Sequence, residues 1–88
     1  MNEARLLEFW APWCKPCRAL EPVLDELTGR IAVERINADE DPDTAATYDV
    51  LSLPTVVLVV GGEERGRVVG ARPLDHFERW LAEMLPAG

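Results

Sequence analysis

The chain holds two cysteines, Cys14 and Cys17, separated by Lys15 and Pro16. Thiols at this spacing can close a disulfide across one helical turn, with one sulfur attacking and the other resolving. Their surroundings give the two sulfurs different roles. Leu6-Leu7-Glu8-Phe9-Trp10 is an apolar run with an aromatic end, and beyond Cys17 the apolar residues fall at Leu20, Val23, Leu24 and Leu27. That is a buried strand followed by an amphipathic helix. Cys14 therefore lies at the strand-to-helix junction, on the first turn, where unpaired N–H groups and the helix dipole favour a thiolate. Cys14 is the expected nucleophile and the more exposed sulfur, and Cys17 the resolving thiol. The chemistry is dithiol–disulfide exchange through a mixed disulfide on Cys14. Three other readings use the same residues. A zinc half-site would need a second subunit, because His76 is the only histidine beside the two cysteines and structural zinc takes four ligands. A static disulfide fits poorly in a reducing compartment. An inert buried pair would leave the position at a helix start without a purpose.

The elements that must position this pair read as one compact unit, with no repeat, linker or low-complexity tract. The first helix is expected to run to about Gly29, with Pro22 kinking it rather than ending it. Ile31 to Ala38 reads as a second strand, and Asp41-Pro42 opens a brief helix from Pro42 to Tyr48 by a side-chain cap and a proline at its first position. Leu53 to Val60 is the strongest strand, rich in β-branched residues. Gly61-Gly62 turns it into a hairpin with Glu63 to Val69. Leu74, Phe77, Trp80, Leu81, Met84 and Leu85 mark the apolar face of a closing helix, with Pro73 near its start. The order is β-α-β-α-β-β-α, an α/β fold with a four-stranded mixed sheet and helices on both faces. Its first two strands are parallel through a right-handed crossover and its last two antiparallel.

With 88 residues the chain makes one small domain, and 48% hydrophobic against 28% charged residues is a globular balance. A formal net charge of −7 argues against nucleic acid or an anionic membrane as partner. No apolar run is long enough to span a bilayer; the longest is Pro54 to Val60. Glu3, Arg5 and Glu8 interrupt what would be a signal-peptide core, so the expected compartment is the cytoplasm. Asp39-Glu40-Asp41-Pro42-Asp43 has the alternating carboxylates of a calcium loop, but Thr44 and Val50 stand where glycine and glutamate are needed. Gly61-Gly62 lies between strands rather than before a helix and so is no phosphate loop. The residues call for no metal and no cofactor.

Phe9-Trp10-Ala11-Pro12-Trp13-Cys14-Lys15-Pro16-Cys17 resembles the active-site signature of thioredoxins, which more often carry Gly-Pro between the cysteines. Asn37-Ala38-Asp39 with Pro42, then Tyr48, Leu53-Pro54-Thr55, the glycine turn and Val69-Gly70-Ala71 follow in the family's order and spacing. The resemblance implies that Pro54 is a cis-proline lying against the cysteine pair. It implies that Trp13, Leu53, Gly70 and Ala71 line a shallow apolar groove for a substrate protein, and that Trp10 supports the active-site loop. It further implies disulfide-containing protein substrates and a flavoprotein disulfide reductase as electron donor.

Glu8 interrupts an apolar strand, where an unpaired carboxylate would be costly. By resemblance, the acid at this place lies behind the resolving cysteine, so Glu8 is the expected general acid/base for Cys17. Arg35 matches a lysine often found near that acid and is expected to hold Glu8 ionised; the alternative is a plain ion pair. Lys15 between the thiols is expected to favour thiolate and make the protein somewhat more oxidising, or else to be a solvated helix-start residue. Thioredoxins carry a further strand and helix ahead of the segment that begins here at Met1. The expectation is therefore an edge position for the Ile31–Ala38 strand, a sheet face short of a covering helix, and a homodimer through one or the other. Two classes of function follow: a protein disulfide oxidoreductase, working as reductant or as oxidase and isomerase, and a non-catalytic protein-binding module using the same groove.

Overall fold

A computed structural model of the chain describes residues 3–85. Its elements are β1 (Ala4–Trp10), α1 (Lys15–Leu27), β2 (Ala32–Asn37), α2 (Pro42–Thr47), β3 (Thr55–Val60), β4 (Glu63–Val69) and α3 (Leu74–Met84). The sheet order is β2-β1-β3-β4, with β1 and β2 parallel and the other pairings antiparallel. The alternation of β1 decides what lies on each face. Leu6 points with Val56, Leu58, Val60 and Val68 toward Leu20, Leu24 and Leu27 of α1 and Phe77 of α3. Leu7, Phe9, Ile36, Val57 and Val59 point the other way, under Ala45, Tyr48, Val50 and Leu53. Helices thus cover both faces of a mixed four-stranded sheet, as the sequence pattern implies.

Each expected element is present, with ends moved by local hydrogen bonding. α1 runs through Pro22 without interruption and closes at Thr28, whose N–H bonds the Leu24 carbonyl. β3 begins at Thr55 rather than Leu53, because Pro54 has no N–H to give the ladder. Asp41 caps α2 by accepting from the Thr44 N–H at 3.1 Å, and Pro42 holds the first position. Gly61 and Gly62 turn the hairpin at φ of 59° and 83°, a left-handed pair that glycine adopts freely. The hairpin carries one extra residue on β4: Leu58 pairs with Gly66 and Val59 with Glu64, leaving Arg65 unpaired.

The expectation of an open apolar face is overturned. Leu7, Phe9, Val57 and Val59 are all buried, because the short α2 and the segment after it fold across them. β2 does lie at one edge of the four-stranded sheet. No helix of the described residues is long and apolar enough to cross a membrane.

Candidate functional site

The site gathers where β1 ends and α1 begins. After Trp10 the chain turns tightly, with the Cys14 N–H bonded to the Ala11 carbonyl at 3.1 Å. Arg18, one turn into α1, donates to the Pro12 carbonyl at 2.7 Å and ties this turn to the helix. Cys14 sits in extended conformation at the N-cap of α1, and its Sγ accepts the Cys17 N–H at 3.2 Å. An N-cap oxygen usually takes that bond; here a sulfur does, and a donor aimed at sulfur favours its thiolate. Cys14 and Cys17 are joined as a disulfide, with Cα atoms 5.3 Å apart. They differ little in burial, 4% and 3% exposed. The expected difference in exposure is therefore not present in the oxidised form, where the two cysteines and Ala11 form one buried cluster with Trp10 and Leu53 packed against it.

Pro54 follows a cis peptide bond from Leu53 and is buried, while Leu53 is half-exposed against the cysteine cluster. The Pro54 carbonyl accepts from the Gly70 N–H at 2.8 Å, which brings the end of β4 beside the proline. Gly70 has a φ of 96°, a conformation that suits glycine. Ala71 and Lys15 are exposed, Lys15 at the first position of α1. Trp13 is 68% exposed and anchored through its Nε1 to Asp39 Oδ2 at 2.9 Å. Asn37 Oδ1 in turn accepts the N–H groups of Asp39 and Glu40. Trp13, Val50, Leu51 and Leu53 line one cavity of about 280 Å³, with Leu51 96% exposed at its rim. From Asn37 to Leu53 every charged residue is acidic: Asp39, Glu40, Asp41, Asp43 and Asp49.

Behind the disulfide lies a second cavity of about 320 Å³, which Glu8, Trp10, Cys17, Glu21 and Arg35 line. Glu8 is 1% exposed. Its Oε2 and the Trp10 Nε1 are buried with no hydrogen-bond partner among the described residues. The Arg35 Nε stands 3.8 Å from Glu8 Oε1. The Glu8 carboxyl is raised from the usual 4.5 to about 7, chiefly by burial, against the lowering by Arg35 and with the help of the Glu21 charge. Arg35 thus acts on Glu8 in the expected direction, favouring its ionised form, while loss of solvation acts against it more strongly.

The structure gathers Glu8, Cys17 and Arg35 at one cavity and Trp13 and Leu53 at the other, with Trp10, Ala11 and Leu53 packed against the cysteine pair. Glu21 and Asp25 were missed by sequence reasoning. The signal for them was present, since Cys17, Glu21 and Asp25 recur every four residues and share one side of α1.

Comparison with known proteins agrees with this geometry. The thioredoxin family model matches residues 1–83. The chain is 46% identical over 84 residues to a thioredoxin of Synechocystis sp., covering 91% of this chain and 78% of that protein. It is 42% identical over 84 residues to the chloroplastic thioredoxin M4 of Arabidopsis thaliana, covering 91% of this chain but only 44% of that one. It therefore spans under half the length of this chloroplastic relative. Among solved structures, a mutant thioredoxin from Halobacterium salinarum superposes with a TM-score of 0.91 at 35% identity, over 99% of this chain and 79% of the other. The chain belongs to the thioredoxin family.

Proposed function

We propose that this chain is a thiol–disulfide oxidoreductase that reduces disulfides in proteins. The observation that carries this reading is the Cys14–Cys17 disulfide at the start of α1, with the Cys14 Sγ taking the place of a capping oxygen. In the reduced protein the Cys14 thiolate attacks one sulfur of a substrate disulfide, forming a mixed disulfide and releasing the other substrate sulfur as thiolate. Glu8 then accepts the proton of the Cys17 thiol, and the Cys17 thiolate attacks the Cys14 sulfur. The second substrate sulfur leaves, so two electrons have passed to the substrate and Cys14–Cys17 is oxidised. A flavoprotein disulfide reductase returns the two electrons. Oxidase action is this sequence run in reverse, and in isomerase action another substrate thiolate displaces Cys14 from the mixed disulfide, with no net transfer of electrons.

Trp13, Leu53, Gly70 and Ala71 form the substrate groove in this reading, and the backbone before Pro54 pairs with an extended substrate segment. Lys15 favours the Cys14 thiolate and shifts the protein toward the oxidising side. The compartment is the cytosol, where reductants keep such a pair turning over. A second copy pairing along the outer edge of β2 completes the proposal, and a single-chain mass in sedimentation at high concentration would remove that part of it.

The competing reading is a binding module in which the cysteines are incidental, and Cys17→Ser separates the two. Without the resolving thiol, an oxidoreductase accumulates mixed disulfides on Cys14 that release on reduction. Partners captured equally by Cys14→Ser, with no covalent link, would decide for the binding module.

A further inference from the structure

Arg35 is one cation divided between two acids. It lies on β2 and reaches toward α1, where its Nη2 donates to Asp25 Oδ1 at 3.0 Å and approaches the Glu21 carbonyl at 3.4 Å. Its Nε is the nitrogen 3.8 Å from Glu8 Oε1. Nε and Nη2 share one edge of the guanidinium, the edge that a single carboxylate engages through two parallel hydrogen bonds. Here Asp25 takes the short contact. Glu8 is left with a long one on Oε1 and none on Oε2. The division runs against need. The Asp25 side chain is 72% exposed, and a pair made in water stabilises little, whereas the buried Glu8 would gain most from a fork.

We propose that Asp25 is a positioning residue for the proton chemistry behind Cys17. By holding Arg35 toward the outer side of α1, it denies Glu8 a two-point contact and keeps that carboxyl free to take up and release a proton. The inference rests on the assignment of Glu8 as acid and base for Cys17. Few other groups bear on Glu8. α1 presents Cys17, Arg18 and Glu21 to the cavity, β2 presents Arg35, and no residue of α3 lines it. Across the sheet, β3 sets Val56 opposite Glu8. The Glu21 charge acts in the same direction as burial, so Arg35 is the group able to reverse both.

The test is a ¹³C NMR titration of the Glu8 carboxyl in the oxidised protein. Asp25→Ala frees Nη2, and Arg35 then closes on Glu8. The midpoint is expected to fall by about one pH unit, because hydrogen bonds to the charged carboxylate add to the attraction that Arg35 already exerts at 3.8 Å. Removing a negative charge lowers Glu8 somewhat by itself, so the same substitution is made in an Arg35→Met background. Loss of most of the fall there assigns it to Arg35; an equal fall, or an unmoved midpoint in the single variant, overturns the proposal. Asp25→Asn keeps an acceptor for Nη2 and is expected to fall less than Asp25→Ala. In turnover, the acid limb of the pH–rate profile of Asp25→Ala shifts the same way. A titration that moves while that limb stays fixed would overturn the assignment of Glu8, and the positioning role with it.

Discussion

A carboxyl that is raised to about 7 inside the fold leaves a mark on stability as well as on chemistry. Between about 4.5 and 7 the folded chain keeps the Glu8 proton that the unfolded chain has lost. Stability is therefore greatest below that window and declines as pH rises through it, by on the order of 3 kcal/mol. Glu8→Gln removes the titrating group, so its unfolding midpoint in guanidinium should lose this decline between pH 5 and pH 8. Parallel declines in the two proteins would place the proton elsewhere. The same variant should slow disulfide reduction and flatten its acid limb by about 10²-fold at most, the lower range for a general acid–base group. Glu8 was legible in the sequence as an acid interrupting an apolar strand, and Arg35 through the resemblance that sets a cation on the next strand beside it. The winner of their contest was not. It depends on how completely the fold buries the Glu8 carboxyl, and that follows from how α1 lies over the sheet.

Arg67 shows how one element fixes another. From β4 its Nη2 donates to the Tyr48 carbonyl at 2.6 Å, just past the end of α2, and its Nε and Nη2 pair with Glu64 at 2.8 and 2.9 Å. Asp49 beyond it takes a φ of 53°, an uncommon conformation that aspartate tolerates. The clamp thus holds the stretch that leads to Leu53 and Pro54. Arg67→Met leaves a part-buried carbonyl without its donor, at a cost of about 1–3 kcal/mol. For a domain of this size each kcal/mol is about 4–8 °C in Tm, so a calorimetric scan should show the fall plainly, and an unchanged Tm would dismiss the clamp. The opening of α2 could be read from Asp41-Pro42, whose cap and proline act within one turn. The clamp could not, nor the unpaired Arg65 in the hairpin, because both are set by the register of β3 against β4.

At the scale of the molecule, the pattern of apolar residues was enough for the order of elements and for the two-faced sheet. The resemblance, not the pattern, misjudged one face as short of a covering helix, whereas the six-residue α2 and the segment after it bury Leu7, Phe9, Val57 and Val59. The segment that does so, from Asn37 to Leu53, also supplies the rim around Trp13 and carries acids without a single base. That distribution acts before any contact is made. A negative field beside the reacting sulfur draws cationic partners in and turns anionic ones away, and salt weakens both effects. With two peptide disulfides of equal length, one lysine-flanked and one glutamate-flanked, stopped-flow traces should show the first forming its mixed disulfide faster in dilute buffer. Their rate constants should converge near 1 M salt, where screening acts within about 3 Å. Equal rates at low ionic strength would mean that the acids beside the groove have no part in choosing partners.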